Sequence, residues 1–222
     1  MHDHHSHHDS GDGPRNIWVE DMLWIEDDGS GGLRLCFGQF GTLKETTPGH
    51  LDELPLPSAW IGEGVKPDRL DLAAQGDAFL LQGAAASDHV QAEDTAVSVM
   101  HATGRPGRKP VLCARWYPGQ GTQAQLEPRL TLDIAPAMQD GRMRVLFRGR
   151  PLAGAILKAL AQDGTVIAEP VSDESGEVAF SPPQPGLYQL VCSHTEKLPV
   201  CVGGHLYAGT RHWSTLTWRH GA

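Results

Sequence analysis

Five histidines and two aspartates crowd the start of the chain, within its first nine residues. They are His2, His4, His5, His7 and His8, with Asp3 and Asp9. Imidazole nitrogen suits borderline-soft ions such as Ni, Co, Cu and Zn, whereas Mg and Ca prefer oxygen ligands. A segment this rich in donors can wrap one ion without a preformed fold. The pattern predicts a transition-metal site, with the ion left open among Ni, Co, Cu and Zn.

A purification handle at this end of the chain would show the same residue type. Such handles are usually unbroken histidine runs, whereas Asp and Ser interrupt the run here. The interruption favours a natural, flexible metal-binding tail over residues 1–14. Metal affinity should then fall below about pH 6, because protons compete for the imidazole lone pair.

Three further histidines, His194, His205 and His212, lie on or beside the last predicted strands. Antiparallel neighbours could bring two or three of them together at one end of a sheet, although the sequence does not fix the register. Glu196 or Asp21 could orient the rings by accepting a ring N–H. Such a constellation would bind a metal ion or sense protons. The alternative is that each histidine is a satisfied or solvated side chain.

Motifs for catalysis are absent from the sequence. It has no G-x-S-x-G elbow, no H-E-x-x-H and no P-loop, and its glycine-rich stretches precede turns. An acidic run near the first strands, formed by Glu20, Asp21, Glu26, Asp27 and Asp28, is typical of a solvated turn with some affinity for a hard cation. Six tryptophans could build a sugar-binding platform, but they are more typical of a sandwich core. We therefore expect a protein that is not an enzyme.

The composition favours cations over nucleic acid as partners. The chain has 222 residues and a formal net charge of -9, and its Lys and Arg residues are scattered, whereas nucleic-acid binding relies on clustered basic residues. No apolar run approaches the roughly 20 residues of a membrane span, and no signal-peptide core is visible. A histidine-rich terminus is common directly after a removed signal in exported metal-handling proteins, so we expect a periplasmic or secreted location.

The four cysteines, Cys36, Cys113, Cys192 and Cys201, form neither a C-x-x-C pair nor a zinc-ribbon pattern. An even count permits two disulfides in an oxidising compartment, and Cys192 with Cys201 is the more plausible pair. Four buried or reduced thiols are the alternative. The sequence leaves both open.

Short alternating runs separated by Gly, Pro and Asp recur from residue 16 to the end, and helix signals are scarce. This pattern predicts an all-β protein made of β-sandwich units. Strands are predicted at residues 16–19, 22–26, 32–38, 69–74, 78–84, 95–102, 110–117, 129–135, 142–149, 154–161, 164–170, 176–182, 186–194 and 212–219. The segment 44–64 is predicted to be a long loop with one helical turn. A break at residues 118–128 divides an N-terminal sandwich, 15–127, from an Ig-like or transthyretin-like sandwich, 128–222.

Three stretches carry a resemblance: DMLWIEDDGSGGLRLCFGQFG, LTLDIAP with MRVLFRGRPLAGA, and SDESGEVAFSPPQPGLYQLVCSH. They resemble, in turn, the opening strand pair, the interdomain segment and the sandwich turn of a family of exported bacterial two-domain β proteins. That family has no known function, and its genes often lie beside nickel and cobalt uptake transporters. The third stretch is also similar to transthyretin-like and adhesin-repeat sandwiches. The resemblance implies a β-sandwich fold and an accessory role in metal uptake.

Two positions depart from that family. Its opening strand pair usually carries a His before the first strand and another at the end of the second, where this chain has Asp21 and Gln39. If the family's histidines bind metal, this chain lacks two donors. The N-terminal histidines could replace them.

The third stretch also has a physical logic of its own. A Pro-Gly reversal before the strand lets Tyr188 pack and hydrogen-bond at a sandwich corner. Alternation along the strand then places Tyr188 and His194 on one face, together with Leu190 and Cys192. We assign that face to the core, with His194 at its rim.

Together these observations predict an exported, non-enzymatic protein that binds Ni, Co or Cu and delivers or buffers it by ligand exchange, with a membrane metal transporter as a partner. The competing interpretation is a structural or interaction module that binds a transporter or another protein without metal. It would use edge strands or the 44–64 loop. In that interpretation the histidines are incidental.

Overall fold

The computed structural model describes residues 21–62, 67–97, 107–119, 129–137 and 141–221. Within these ranges the chain forms nineteen strands and one short 3₁₀ helix, His50–Glu53, so the predicted all-β class is confirmed. In chain order the strands are β1 (Met22–Asp27), β2 (Gly32–Gln39), β3 (Leu43–Lys44), β4 (Ser58–Ile61), β5 (Asp68–Leu70), β6 (Leu72–Gln75), β7 (Ala78–Ala85), β8 (Val90–Asp94), β9 (Lys109–Tyr117), β10 (Leu132–Pro136), β11 (Arg142–Phe147), β12 (Arg150–Pro151), β13 (Leu157–Ala161), β14 (Val166–Ala168), β15 (Glu177–Ala179), β16 (Gly186–Glu196), β17 (Val200–Val202), β18 (His205–Tyr207) and β19 (Thr210–His220).

Three sheets stack in three layers. The first outer sheet has the strand order β1-β2-β7-β6, with β3 paired to β2, and the second has the order β10-β11-β12, with β15 paired to β11. Between them lies the central sheet, whose eight strands have the order β14-β13-β16-β19-β9-β8-β4-β5. A small hairpin of β17 and β18 leaves the central sheet between β16 and β19.

Alternate side chains of β16 enter two different hydrophobic cores, because the central sheet is covered on both faces. Leu187 and Val191 pack with the first outer sheet, whereas Tyr188, Leu190 and Cys192 pack with the second. The sequence prediction assigned only the second face to a core, and the first face is core as well. Strands covered on both faces carry near-continuous apolar runs. The histidine-bearing strands β16 and β19 are therefore held from both sides.

Strands from both predicted units pair in the central sheet. β9 lies before the predicted break and pairs in parallel with β19. The guanidinium of Arg115 on β9 donates to both carboxylate oxygens of Asp133 on β10, at 2.9 and 2.7 Å, and both side chains are buried. The division between residues 127 and 128 stays a prediction, but the two halves share one sheet and one buried ion pair.

The predicted loop at 44–64 is only partly correct. It contains the expected helical turn at His50–Glu53, but it also contains β4, which pairs with β8 in the central sheet. The predicted strand at 69–74 is in fact two strands. β5 pairs with β4 in the central sheet and β6 pairs with β7 in the first outer sheet, so the chain changes layers at this point.

Two other predicted strands have different outcomes. Residues 95–97, the start of the strand predicted at 95–102, are not part of a strand, and the backbone N–H groups of Ala96 and Val97 donate to the Asp94 carboxylate instead of to a neighbouring strand. The strand that pairs here is β8, just before these residues. The rest of that prediction, and the strand predicted at 16–19, lie outside the described residues.

All four cysteine thiols are free in the structure, so the bridge considered between Cys192 and Cys201 is not formed. Cys36, Cys113 and Cys192 are buried, and burial raises the pKa of the Cys192 thiol to about 12. Cys201 is the exposed one, on β17. In the described part of the chain, no helix is long and apolar enough to cross a membrane.

Candidate functional site

His194 and His212 stand directly opposite each other on neighbouring strands. They are register partners in the antiparallel pair of β16 and β19, near one end of these strands. They lie on the face of the central sheet that the second outer sheet covers. Directly opposed residues in such a pair have Cβ atoms about 4.5–5.5 Å apart. The ring of Phe147, at the end of β11, lies over both imidazoles, with centroid distances of 4.4 Å to His194 and 5.1 Å to His212. The structure therefore brings together two of the three histidines predicted at this end.

Glu196 fixes the orientation of the His212 ring. His212 Nε2 lies 2.9 Å from Glu196 Oε2, and because a carboxylate only accepts, Nε2 carries the proton. The Nδ1 atom then holds the lone pair, and it is buried with no hydrogen-bond partner among the described residues. Burial lowers the pKa of His212 more than the Glu196 carboxylate raises it, so the imidazole is neutral at pH 7. A neutral imidazole with an oriented free nitrogen is the form that binds metal ions.

Arg148 contacts the same carboxylate oxygen of Glu196 as His212 does. Its guanidinium lies 2.9 Å from Glu196 Oε2 and 5.1 Å from the centre of the Phe147 ring. Arg148 has φ of 50° and is followed by Gly149 with φ of 72°, as the tight turn between β11 and β12 requires. Among the described residues it is the one non-glycine side chain with positive φ. The positive φ of Arg148 is therefore a consequence of this two-residue hairpin turn, and its side chain, 63% exposed, contacts Glu196 from the surface.

The remaining predicted ligands are elsewhere. His205 lies on β18, in the small hairpin, and is exposed, so the three-histidine cluster is not formed. His2, His4, His5, His7 and His8 lie outside the described residues. Across the described ranges, no group of three or more His, Cys, Asp or Glu side chains is placed to hold a metal ion. The histidine pair thus offers two imidazoles as possible metal ligands, and Glu196 orients one of them.

One part of this geometry was predicted from the sequence, and another part was not. Glu196 was expected as a group that could orient an imidazole, and it does contact His212. Asp21, the other candidate, lies next to the first outer sheet, away from the histidine pair. Its carboxylate is 3.5 Å from the amide nitrogen of Gln39. The roles of Phe147 and Arg148 were not foreseen, because Arg-Gly is not one of the residue pairs that usually signal a two-residue hairpin.

The positions at which the resembling family carries histidines are neighbours in space. Asp21 directly precedes β1, and Gln39 ends β2, which pairs antiparallel with β1. Asp21 is buried. A carboxylate and an amide thus occupy these two adjoining positions, and an amide nitrogen is a hydrogen-bond donor and no metal ligand.

Two members of the acidic run near the first strands, Glu26 and Asp27, are paired with cations. Glu26 accepts hydrogen bonds from Lys44 at 2.5 Å and from Arg34 at 2.9 Å. Burial raises the pKa of Glu26, but the hydrogen bonds from Lys44 and a neighbouring indole, with the nearby positive charges, outweigh it and lower the pKa. Asp27 pairs with Arg219 at 2.5 Å. The expectation of a solvated acidic turn with affinity for a hard cation is wrong for Glu26 and Asp27.

A polar cleft of about 500 Å³ lies beside these ion pairs. Five of its six charged lining residues, Glu26, Asp27, Arg34, Lys44 and Arg219, pair with one another, and the sixth, Asp28, accepts hydrogen bonds within its own turn. These charges hold β1, β2, β3 and β19 together. The cleft is therefore explained by the packing of the first outer sheet on the central one.

Four of the five described tryptophans, Trp24, Trp116, Trp213 and Trp218, pack in or against a hydrophobic core, and Trp60 on β4 is half-buried. Trp24, Trp116 and Trp218 are buried, at 0, 2 and 5% exposure. Trp213 is partly buried and its ring is covered by the guanidinium of Arg211 at 4.4 Å. No described tryptophan is fully exposed.

Comparison of the chain with models of known protein families, with curated proteins and with solved structures found no match. The resemblance to the nickel- and cobalt-associated family stays a prediction. The functional argument therefore depends on the histidine pair and on the N-terminal histidines.

Proposed function

We propose that this protein binds a transition-metal ion, Ni, Co, Cu or Zn, and buffers or delivers it outside the cytoplasm, in the periplasm or as a secreted protein. Binding is ligand exchange and involves no catalytic step. The protein has two sites. One is formed by the N-terminal histidines His2, His4, His5, His7 and His8, and the other is formed by the pair His194 and His212. A membrane metal uptake transporter is the proposed recipient.

The observation that carries the proposal is the state of His212. Its Nε2–H is held by Glu196, its Nδ1 is buried without a partner among the described residues, and His194 stands directly opposite. A carboxylate that orients a ligating histidine through its second nitrogen is the usual arrangement around protein-bound metals. Two imidazoles give a partial coordination sphere, which water or the N-terminal histidines would complete.

Calorimetric titration with Ni, Co, Cu and Zn salts tests both sites in one experiment. The full chain is compared with a version lacking residues 1–13 and with His212→Asn and His194→Asn. His220→Asn is the matched control, since His220 lies on the same strand outside the pair. We expect the shortened chain to keep one weaker site that either pair variant abolishes and the control retains. No binding by the full chain would remove the proposal, and equal binding by all versions would remove both sites.

A second candidate function has one observation in its favour. β14 is an edge strand of the central sheet, and its Val166 and Ile167 are 46% and 39% exposed. An exposed apolar edge is a template for strand addition by a protein partner. A partner that copurifies from the native host in the presence of a chelator, and is lost from a Val166→Lys, Ile167→Lys double variant, would favour this interaction module over metal handling.

A further inference from the structure

The hairpin of β17 and β18 projects from the edge of the fold between β16 and β19 and exposes apolar side chains. Its strands pair antiparallel, with Cys201 opposite Leu206, and Gly203 and Gly204 form the tip with φ of 57° and 81°. These dihedral angles are those of a two-residue hairpin turn, which glycine adopts without strain. The sequence prediction missed this hairpin, although a Gly-Gly pair between apolar runs is a hairpin signal.

Large apolar side chains of this hairpin face solvent. Leu198, just before β17, is 77% exposed, Leu206 is 58% exposed and Val202 is 42% exposed. Cys201 is exposed on the same face as Leu206. Tyr207 is buried and holds the base of the hairpin to the body. Val202 lies on the opposite face from Leu206, because it pairs with His205 and successive residues of a strand alternate, so both faces of the hairpin expose an aliphatic side chain next to the glycine tip. Exposed apolar clusters of this kind mark interaction sites.

Cations surround the base of the hairpin. Lys197 directly precedes Leu198, and Arg211 is the second residue of β19. Arg108 adjoins the same base, because the flanking backbone N–H of Ala208 donates to the carbonyl of Gly107 at 2.8 Å.

Arg148 reaches the base from β11, through its contact with Glu196. Within residues 195–211 Glu196 is the one carboxylate, and it is already engaged by Arg148 and His212. The chain as a whole has a formal net charge of -9, so this end stands out as cationic.

We propose that this hairpin docks the protein on an anionic lipid bilayer. Leu198, Val202 and Leu206 enter the interface between headgroups and acyl chains, and the basic ring formed by Arg108, Arg148, Lys197 and Arg211 meets the lipid phosphates. Apolar side chains backed by Lys and Arg are the combination that holds peripheral proteins on such surfaces. The contact is peripheral, and it needs no membrane-spanning segment.

Lipid fits this surface better than a protein does. A stable protein interface buries about 800 Å² on each partner with matched shape, whereas the hairpin is two three-residue strands with a glycine tip. A bilayer requires no shape complementarity. A symmetric contact with a second copy of the chain would place two identical basic rings against each other, and their like charges would repel.

The single exposed thiol makes the test direct. Because the other three thiols are buried, an environment-sensitive NBD group attached to the native protein labels Cys201, and Cys201→Ser is the labelling control. The labelled protein is titrated, in the presence of EDTA, with vesicles of phosphatidylcholine alone or mixed equally with phosphatidylglycerol. We expect a blue shift and rising intensity with the anionic vesicles only. Co-sedimentation of unlabelled protein excludes an effect of the label.

Two variants separate the apolar from the charged part of the contact. Leu206→Ser should weaken binding roughly tenfold, as expected when one leucine leaves an apolar contact. Leu56→Ser is its matched control, since Leu56 is 62% exposed elsewhere and should change nothing. The double variant Arg108→Gln, Lys197→Gln should weaken binding to anionic vesicles roughly 30-fold, because each cation near such a surface contributes about a factor of five.

Three outcomes would overturn the proposal. The first is the absence of both blue shift and co-sedimentation with anionic vesicles. The second is equal binding to neutral and anionic vesicles, which would leave the basic ring without a role. The third is a blue shift that appears without lipid and grows with protein concentration, since this would make a second copy the occupant. EDTA keeps all three independent of the proposed metal site.

Discussion

Replacing Asp133 with asparagine removes one charge from the buried ion pair that joins β9 to β10. Arg115 is 1% exposed and Asp133 is 0% exposed, and two hydrogen bonds of 2.9 and 2.7 Å join them. Arg115 also donates to Gln91 at 3.2 Å, which cannot replace the lost charge. Removing one partner of a buried pair leaves an uncompensated charge and costs about 3–5 kcal/mol. We expect Asp133→Asn to lower the free energy of unfolding by that amount, a large share of the roughly 5–15 kcal/mol typical of a domain.

Urea unfolding followed by both tryptophan fluorescence and far-UV circular dichroism measures this loss. Glu177→Gln is the control, because its ion pairs with Arg142 and Arg144 are at the surface and contribute less than about 1 kcal/mol. The double variant Arg115→Met, Asp133→Leu removes both charges and should be close to neutral. A loss below about 1 kcal/mol for Asp133→Asn would refute the reasoning, and so would two separate transitions, because the pair links the two halves of the chain.

Three further predictions concern pH, turn strain and close packing. The pKa of Glu26 is lowered in the folded state, so the ionised side chain stabilises the fold at pH values above its unfolded pKa of about 4.3. This stabilisation is lost as the pH falls through the lower folded pKa. Glu26→Gln should therefore make the free energy of unfolding depend less on pH in this acidic range, as measured by unfolding at a series of pH values. Arg148→Asn should change the free energy of unfolding by less than about 1 kcal/mol, because asparagine tolerates the positive φ better and this gain offsets the lost surface ion pair. NMR titration of the same variant should show a higher pKa for His212, because a nearby positive charge is removed. Gly41→Ala should lower the free energy of unfolding by about 2–4 kcal/mol, because the added Cβ would clash with neighbouring backbone and the residue has a positive φ. Gly76→Ala is the control, since Gly76 also has a positive φ but nothing lies near its Cβ position. Equal shifts of the unfolding temperature in the two variants would contradict the role of the clash.

The β class was readable from the sequence because turn residues and short alternating runs act locally. The Tyr188 corner is a clear case, since its hydroxyl donates to the carbonyl of Gln184 at 2.9 Å, as the Pro-Gly reversal predicted. The three-layer arrangement was not readable. Gln189 and Thr217 are polar and yet 0% exposed, and they lie on the face of the central sheet that the first outer sheet covers, so the alternation of apolar and polar residues gave no sign of that cover.

The histidine site was only partly predictable, for a related reason. Both His194 and His212 were identified by type, but their facing each other depends on the register between β16 and β19. That register is set by the excursion at 197–209, in which Gly209 packs directly against the backbone of Glu196. The register between strands that are distant in the sequence depends on tertiary packing, which the local pattern of apolar and polar residues does not reveal.

The position of β19 between β16 and β9 constrains how the protein can be synthesised. A nascent chain exposes the inner edges of both neighbours until Thr210–His220 leaves the ribosome, because no earlier strand occupies that place. Unpaired apolar edges are the usual start of aggregation, and pairing between distant segments forms slowly. Growing chains should therefore depend on a holding chaperone until Thr210–His220 has been synthesised and can pair.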